Sequence, residues 1–411
     1  MKRLIKNVVS LDMTAATPES VEGLTVLNAV EAIVNSATKP LLGLINIKNI
    51  VSILELPDGV KISSMNGNVV LGGGLDEPFA GENAYWKVNG NILIKNDITP
   101  ETVKRIFSNG GNFNGNITIP DKLSMLLPSL GIKINGNIKA YPSDSLLYTD
   151  DITINNGFLS GLPEGAAITA LKNVFISPGT DSDLFKRISG LTVLGRTVLY
   201  QAQSDVFYSV ARSYSNLSIV PDGYEYYDKP LSIAPSSIYS IKGKSLYTRQ
   251  DIYFKDELDE SLIRQMDFKL ETEGTVIVPE HLAALLFDRV KAGSFYTYKG
   301  KLAVVGGEMA LSKPGPGKAL YSYLINKGAA LIIGEDITAD EIKQCIGEIF
   351  LYGVINIHKN QRDAINEKIA INKGEVGIID EQPDENEAEE NDDKNYGEYD
   401  VVIGNAVEYK L

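Results

Sequence analysis

The sequence predicts an α/β fold, an elongated repeat solenoid with a stacked parallel sheet and short helices between the strands. Three observations carry this. Four segments align around a common Asn-Gly-Asn core: Met65–Val69, Val88–Ile92, Phe113–Ile117 and Ile134–Ile138. Their glycines, Gly67, Gly90, Gly115 and Gly136, are spaced 23, 25 and 21 residues apart, the period of a stacked array rather than of separate globules. Capped helix starts recur between these segments.

Each copy alternates with a period of two. Phe113, Gly115, Ile117 and Ile119 fall on one side, and Asn114, Asn116 and Thr118 on the other. Such a segment is a strand with one buried and one wet face, or two short strands meeting at an Asn-Gly corner. Weaker copies run from Ile154–Gly157 through Val193–Val198, Ile241–Leu246, Thr272–Ile277, Tyr298–Leu302 and Tyr352–Ile355 to Asn372–Val376; an earlier relative lies at Ile45–Val51. Helices are expected after Thr99-Pro100, after Thr338, after Pro120 and after Pro279. Thr99 reads as an N-cap, and Pro100 as a first helical residue whose missing N–H costs nothing. A further helix is expected over Ala319 to Ile325, and Leu282, Leu285, Leu286 and Val290 share one helical face.

The strand, cap, helix, strand unit resembles the leucine-rich-repeat-like α/β solenoid proteins. The Asn-Gly-Asn rungs also look like those of β-helix proteins such as bactofilins. The resemblance is architectural, and no site residue is carried over from it.

The repeat region is expected over residues 1–379, with an irregular Tyr-rich segment at 200–254. An acidic disordered linker is expected at 380–398, and a β-prone peptide at 399–411 able to dock on a sheet edge. The formal net charge is −14. Residues 380–400 hold eleven acids and one lysine, a net −10, which leaves −4 for the rest. A near-neutral body offers no basic footprint, so nucleic acid is not expected as a partner. No apolar run reaches the ~18 residues of a membrane span, and no signal core follows Lys6. A cytoplasmic location is expected, with no membrane partner.

No catalytic, cofactor or metal site is expected. Gly315-Pro316-Gly317-Lys318 departs from a phosphate loop, with Ser312 and Ala319 where Gly and Ser/Thr belong. Gly72-Gly73-Gly74 with Asp76 and Glu77 reads as a turn. Cys345, His281, His358 and the Asp150-Asp151 pair lack partners in the pattern. Two asparagine columns are expected to form ladders: Asn66, Asn89, Asn114 and Asn135, and Asn68, Asn91, Asn116 and Asn137. Amide side chains donate and accept, so a column can bond to itself. Tyr224, Tyr226, Tyr227, Tyr239 and Tyr247 are the expected protein-binding residues, because tyrosine is enriched at interfaces. The expected function is a non-enzymatic scaffold or protein-interaction module. The alternatives are a self-assembling, filament-like protein and a carbohydrate-binding or carbohydrate-cleaving β-solenoid.

Overall fold

At Asn66-Gly67-Asn68 the chain turns a corner: strand Lys61–Asn66 ends there, and Val69–Leu71 begins. The computed structural model, which describes residues 1–74, 83–312, 319–379 and 399–411, repeats the device. Ala84–Asn89 and Ile92–Ile94 flank the next corner, then Gly111–Asn114 and Ile117–Pro120. Of the two readings, the corner is the one the four Asn-Gly-Asn copies adopt; the weaker copies Val193–Val198 and Thr272–Ile277 lie instead within single long strands, Ile188–Tyr200 and Phe268–Pro279. In the Asn-Gly-Asn set every passage of chain thus gives one strand to each of two parallel sheets. Val88 pairs with Phe113 and Phe113 with Ile134 in one sheet, while Ile92 pairs with Ile117 in the other.

Two features of the corner follow from close packing. A Cβ on Gly115 would sit 2.2 Å from the carbonyl oxygen of Gly90, and one on Gly136 would sit 2.2 Å from that of Gly115. Successive corners therefore touch backbone to backbone, which only glycine allows. The alternating apolar residues point between the two sheets. Trp86, Val88, Phe113, Ile117 and Ile119 are buried there. Ile138, in the last strand of its set, is 46% exposed, because nothing stacks beyond it.

The pairing is not one continuous sheet. Among the described residues it forms eight sheets, six of them four-stranded. Two of the breaks fall at Leu56-Pro57-Asp58-Gly59 and Val220-Pro221-Asp222-Gly223, tight turns whose glycines take left-handed backbone at φ 79° and 82°.

The chain divides into two compact units. The first comprises Met1–Thr197, Val206–Asn216 and Asn391–Leu411; the second comprises Val198–Asp205 and Leu217–Glu390. In the first unit, one set of strands is completed by the end of the chain. Val401–Gly404 pairs in parallel with Arg3–Lys6, and Glu408–Lys410 with Val8–Asp12. The sheet orders there place these strands beside the N-terminal ones, followed by Leu24–Val26 and Asn46–Ile47 in one sheet and by Ala29–Asn35 and Ile50–Leu56 in the other. This set has its own core around Ile5, Leu11, Val26 and Val34. The set holding the Asn-Gly-Asn corners has another, around Trp86, Phe107 and Phe113. In the second unit, cores form around Phe254, Phe268 and Leu270 and around Ile325, Ile342 and Ile355.

Short helices close one side of the passages. Pro100–Ile106 starts at Thr99, whose side chain accepts from the Thr102 N–H, and it buries Val103 and Ile106. Ala339–Cys345 starts from a reciprocal cap between Thr338 and Glu341. Two expectations are corrected. The helix expected over Ala319 to Ile325 is a strand, Tyr321–Ile325, in which Tyr321, Tyr323 and Ile325 alternate as β-prone residues do. Val290 begins the strand Val290–Tyr298 instead of extending the helix Ala283–Phe287. The expected linker at 380–398, the Gly315-Pro316-Gly317-Lys318 loop and Asp76 with Glu77 lie outside the described residues. No helix among the described residues is long and apolar enough to cross a membrane.

Gly115→Ala is expected to destabilise the first unit by about 2 kcal/mol or more, since the added methyl meets backbone and not a yielding side chain. A urea midpoint unchanged from wild type would show that the corners do not touch as described.

Candidate functional site

The asparagine columns form bonded ladders. Asn89 Nδ2 donates to Asn66 Oδ1 at 3.0 Å, Asn114 to Asn89 at 2.9 Å, and Asn135 to Asn114 at 2.7 Å. In the second column Asn91 donates to Asn68, and Asn116 to Asn91, both at 3.2 Å. Asn137 enters through its backbone N–H, 3.0 Å from Asn116 Oδ1. The same backbone-to-side-chain bond recurs at other corners. The Asn173 N–H donates to Asp151, and the Thr275 N–H to Asp251.

One ladder went unread in the sequence. Asn49 Nδ2 donates to Asn28 Oδ1 at 3.3 Å, Asn28 to Asn7 at 3.1 Å, and Asn7 to Asn405 at 3.2 Å. The last bond ties the C-terminal strands to the N-terminal ones. Asn7 and Asn405 take φ 54° and 57°, so here asparagine itself makes the left-handed corner that glycine makes elsewhere. Their spacing of 21 residues, from Asn7 to Asn28 to Asn49, was the available signal.

Beside these ladders the first unit holds a polar groove of about 440 Å³. One wall comes from the N-terminal set, with Ser10, Glu31, Ser52 and the C-terminal residue Glu408. The other comes from the Asn-rich set, with Ser64, Asn66, Lys87, Asn89, Asn112, Asn114 and Lys133. Two cations cross the groove. Lys87 Nζ lies 2.6 Å from Ser10 Oγ and 4.0 Å from Glu408 Oε1, and Lys133 Nζ lies 3.2 Å from Glu31 Oε1. Lys87 and Glu31 are nearly enclosed, with side chains 13% and 11% exposed. The charges neutralise one another; of the other polar lining groups, Asn66, Asn89 and Asn114 bond along their ladder, Ser10 accepts from Lys87 and Ser52 donates to the Val30 carbonyl. Along one rim run the outward valines Val9, Val30 and Val407.

The five predicted tyrosines are not a single exposed patch. Tyr247 is buried, its hydroxyl donates to Glu273, and Arg249 lies 2.8 Å from that carboxylate. Burial, then the Glu273 bond, pushes the Tyr247 phenol well above its usual range. The Tyr226 ring lies 6.4 Å from that of Tyr247, and its hydroxyl donates to Asp228. Tyr227 and Tyr239 are exposed, and Tyr224 lines a separate hollow with Lys269, Phe287 and Lys291. His281 Nε2 lies 3.0 Å from the Leu258 carbonyl. The His358 backbone N–H donates to Gln361 Oε1 at a helix start. Asp150 pairs with Lys172 at 2.8 Å, and that hydrogen bond lowers its pKa. Cys345 is half-buried on the wall of an apolar cavity of about 420 Å³ with Met309, Leu311, Tyr321 and Ile342. Among the described residues, no three His, Cys, Asp or Glu side chains gather as a metal site.

No protein-family model, curated protein or solved structure matches this chain. The site must therefore be read from its own geometry.

Behind the groove, Tyr85 packs with Ile33, Leu56 and Val60 between the two strand sets. Its buried hydroxyl has no hydrogen-bond partner among the described residues. Burial, with the Glu31 charge second, pushes the phenol from 10.0 up to about 12. Because the folded state holds this proton more tightly, its contribution is fully present below pH 10 and is lost as pH rises towards 12. Tyr85→Phe is expected to be neutral or stabilising at pH 7, since it removes an unpaired polar group. It should also flatten the alkaline fall in stability. Urea melts at pH 7 and across pH 10–12 test both; destabilisation by more than about 1 kcal/mol at pH 7 would mean that the hydroxyl has a partner.

Proposed function

We propose that the chain is a non-enzymatic interaction scaffold, a repeat solenoid whose groove in the first unit holds an extended segment of a partner protein. The supporting observation is the periodicity of the groove. Its walls are built from equivalent residues on neighbouring parallel strands, so amides and hydroxyls recur at about 4.8 Å. Regularly spaced groups suit a ligand that is itself extended and rich in backbone donors and acceptors. With Lys87 and Lys133 already matched by Glu408 and Glu31, the groove has no excess of either charge and favours an uncharged stretch. The contact face moves from the tyrosines to this groove because Tyr247 is internal and Tyr226 is engaged with it. The proposed setting is the cytoplasm, and the proposed binding needs no cofactor.

A displayed library of random peptides, selected on the full chain, tests this. Enriched peptides are expected to lose at least tenfold in affinity with Lys87→Ala, and with Ser64→Trp, which fills the groove from an exposed position. Tyr239→Ala should leave binding unchanged. If the selected peptides bind both groove variants as well as wild type, the reading fails.

A further inference from the structure

The N-terminal and Asn-rich strand sets of the first unit each end, among the described residues, in outer strands with no further strand beyond them, and the two ends are not alike. In the N-terminal set, Glu408–Lys410 forms one outer strand of its sheet and Ile50–Leu56 the other. All neighbours are parallel, so the two edges are opposite halves of the same pairing pattern. The ladder has a direction. Asn49 donates to Asn28, Asn28 to Asn7, and Asn7 to Asn405. One end therefore leaves the Asn405 amide N–H without a ladder acceptor, and the other leaves the Asn49 oxygen without a ladder donor. The Asn-rich set runs the same way, from a donor end at Asn66 to an acceptor end at Asn135. The cross-groove bonds place the two sets in the same order. Lys87 of the second strand reaches Ser10 of the second, and Lys133 of the fourth reaches Glu31 of the third.

An apolar column points to the same conclusion. The register places Val407, Val9, Val30 and Val51 side by side on adjacent strands. Val9 and Val30, in the middle, are 51% and 52% exposed; Val407 and Val51, at the ends, are 73% and 72% exposed. The excess at each end is the flank that a further strand would cover. The outer strand Ile50–Leu56 also exposes Ile53, and its one charge, Glu55, is matched by Lys39 at 2.5 Å. Native edges are usually blunted by free charge or proline; here the proline, Pro57, comes only after the last residue of the strand.

We propose that a second copy of this chain stacks head to tail on the first. The Ile50–Leu56 edge of one copy takes the Glu408–Lys410 edge of the next. The valine column and the asparagine ladder then continue across the junction, with Asn405 of the added copy donating to Asn49. Because the two surfaces differ, the contact is heterologous and leaves a free edge at each end, so association is open-ended.

Sedimentation velocity on the full chain over a range of concentrations, at 0.15 M salt to screen the net negative charge, tests the proposal. The mean mass is expected to rise continuously with concentration. Val51→Lys combined with Ile53→Lys blocks one edge, and Val407→Lys blocks the other. Each variant alone should associate at least tenfold more weakly than wild type. Mixed together, they should form a one-to-one dimer and nothing larger, because each retains the edge that the other has lost. That dimer also shows that both variants fold. A wild-type chain that stays monomeric, a closed dimer that does not grow, or a mixture that forms no dimer would each overturn head-to-tail stacking.

Discussion

The structure depends on how closely one corner of the chain approaches the next. Where Gly90, Gly115 and Gly136 stack, the backbones are in contact, and a methyl group would lie 2.2 Å from the preceding carbonyl at Gly115 and Gly136. That contact sets the register of both sheets at once, since each corner joins a strand of one to a strand of the other. With register fixed, Val88 falls opposite Phe113 and Ile92 opposite Ile117, and the apolar residues meet between the sheets. The amide ladders follow from the same constraint. Asn89 and Asn114 lie 2.9 Å apart because their backbones are already adjacent, and each bond adds a modest gain, about 0.5–1.5 kcal/mol, to a geometry that packing has chosen.

The groove is a second consequence. Strand sets that stop at four strands must lie beside one another, and the cleft between two of them is walled by repeated side chains. Among the described residues that line the groove, the cations are Lys87 and Lys133, and each meets a carboxylate. One partner of each pair, Lys87 and Glu31, is enclosed while the other, Glu408 and Lys133, is 39% and 58% exposed, so removing the exposed partner would leave an enclosed charge unmatched, which is costly.

Much of this was readable in the sequence where one residue type had one physical reason to be there. The Asn-Gly-Asn corners were legible because glycine recurs wherever backbones touch. The helices at Thr99 and Thr338 were legible because capping chemistry is local. The N-terminal ladder was not, because Asn7 and Asn405 make the same left-handed corner without a glycine to mark it. The breaks between strand sets escaped because Pro57-Asp58-Gly59 reads like any turn, and only the pairing shows that a sheet ends there. Tyr321–Ile325 was misread as a helix because a short apolar run carries no period of its own. The tyrosines of 200–254 show a different limit. Composition reports how many aromatics a segment holds, but not that Tyr247 is inside and Tyr239 outside.

The backbone of Lys2 donates to Asp400, a partner 398 positions away. Arg3–Lys6 and Val8–Asp12 are bordered by Val401–Gly404 and Glu408–Lys410, so this set stays one member short until residues 401–410 have been synthesised. Closing it means bringing together segments separated by nearly the whole of this sequence, a contact whose loop entropy must be met before the pairing repays it.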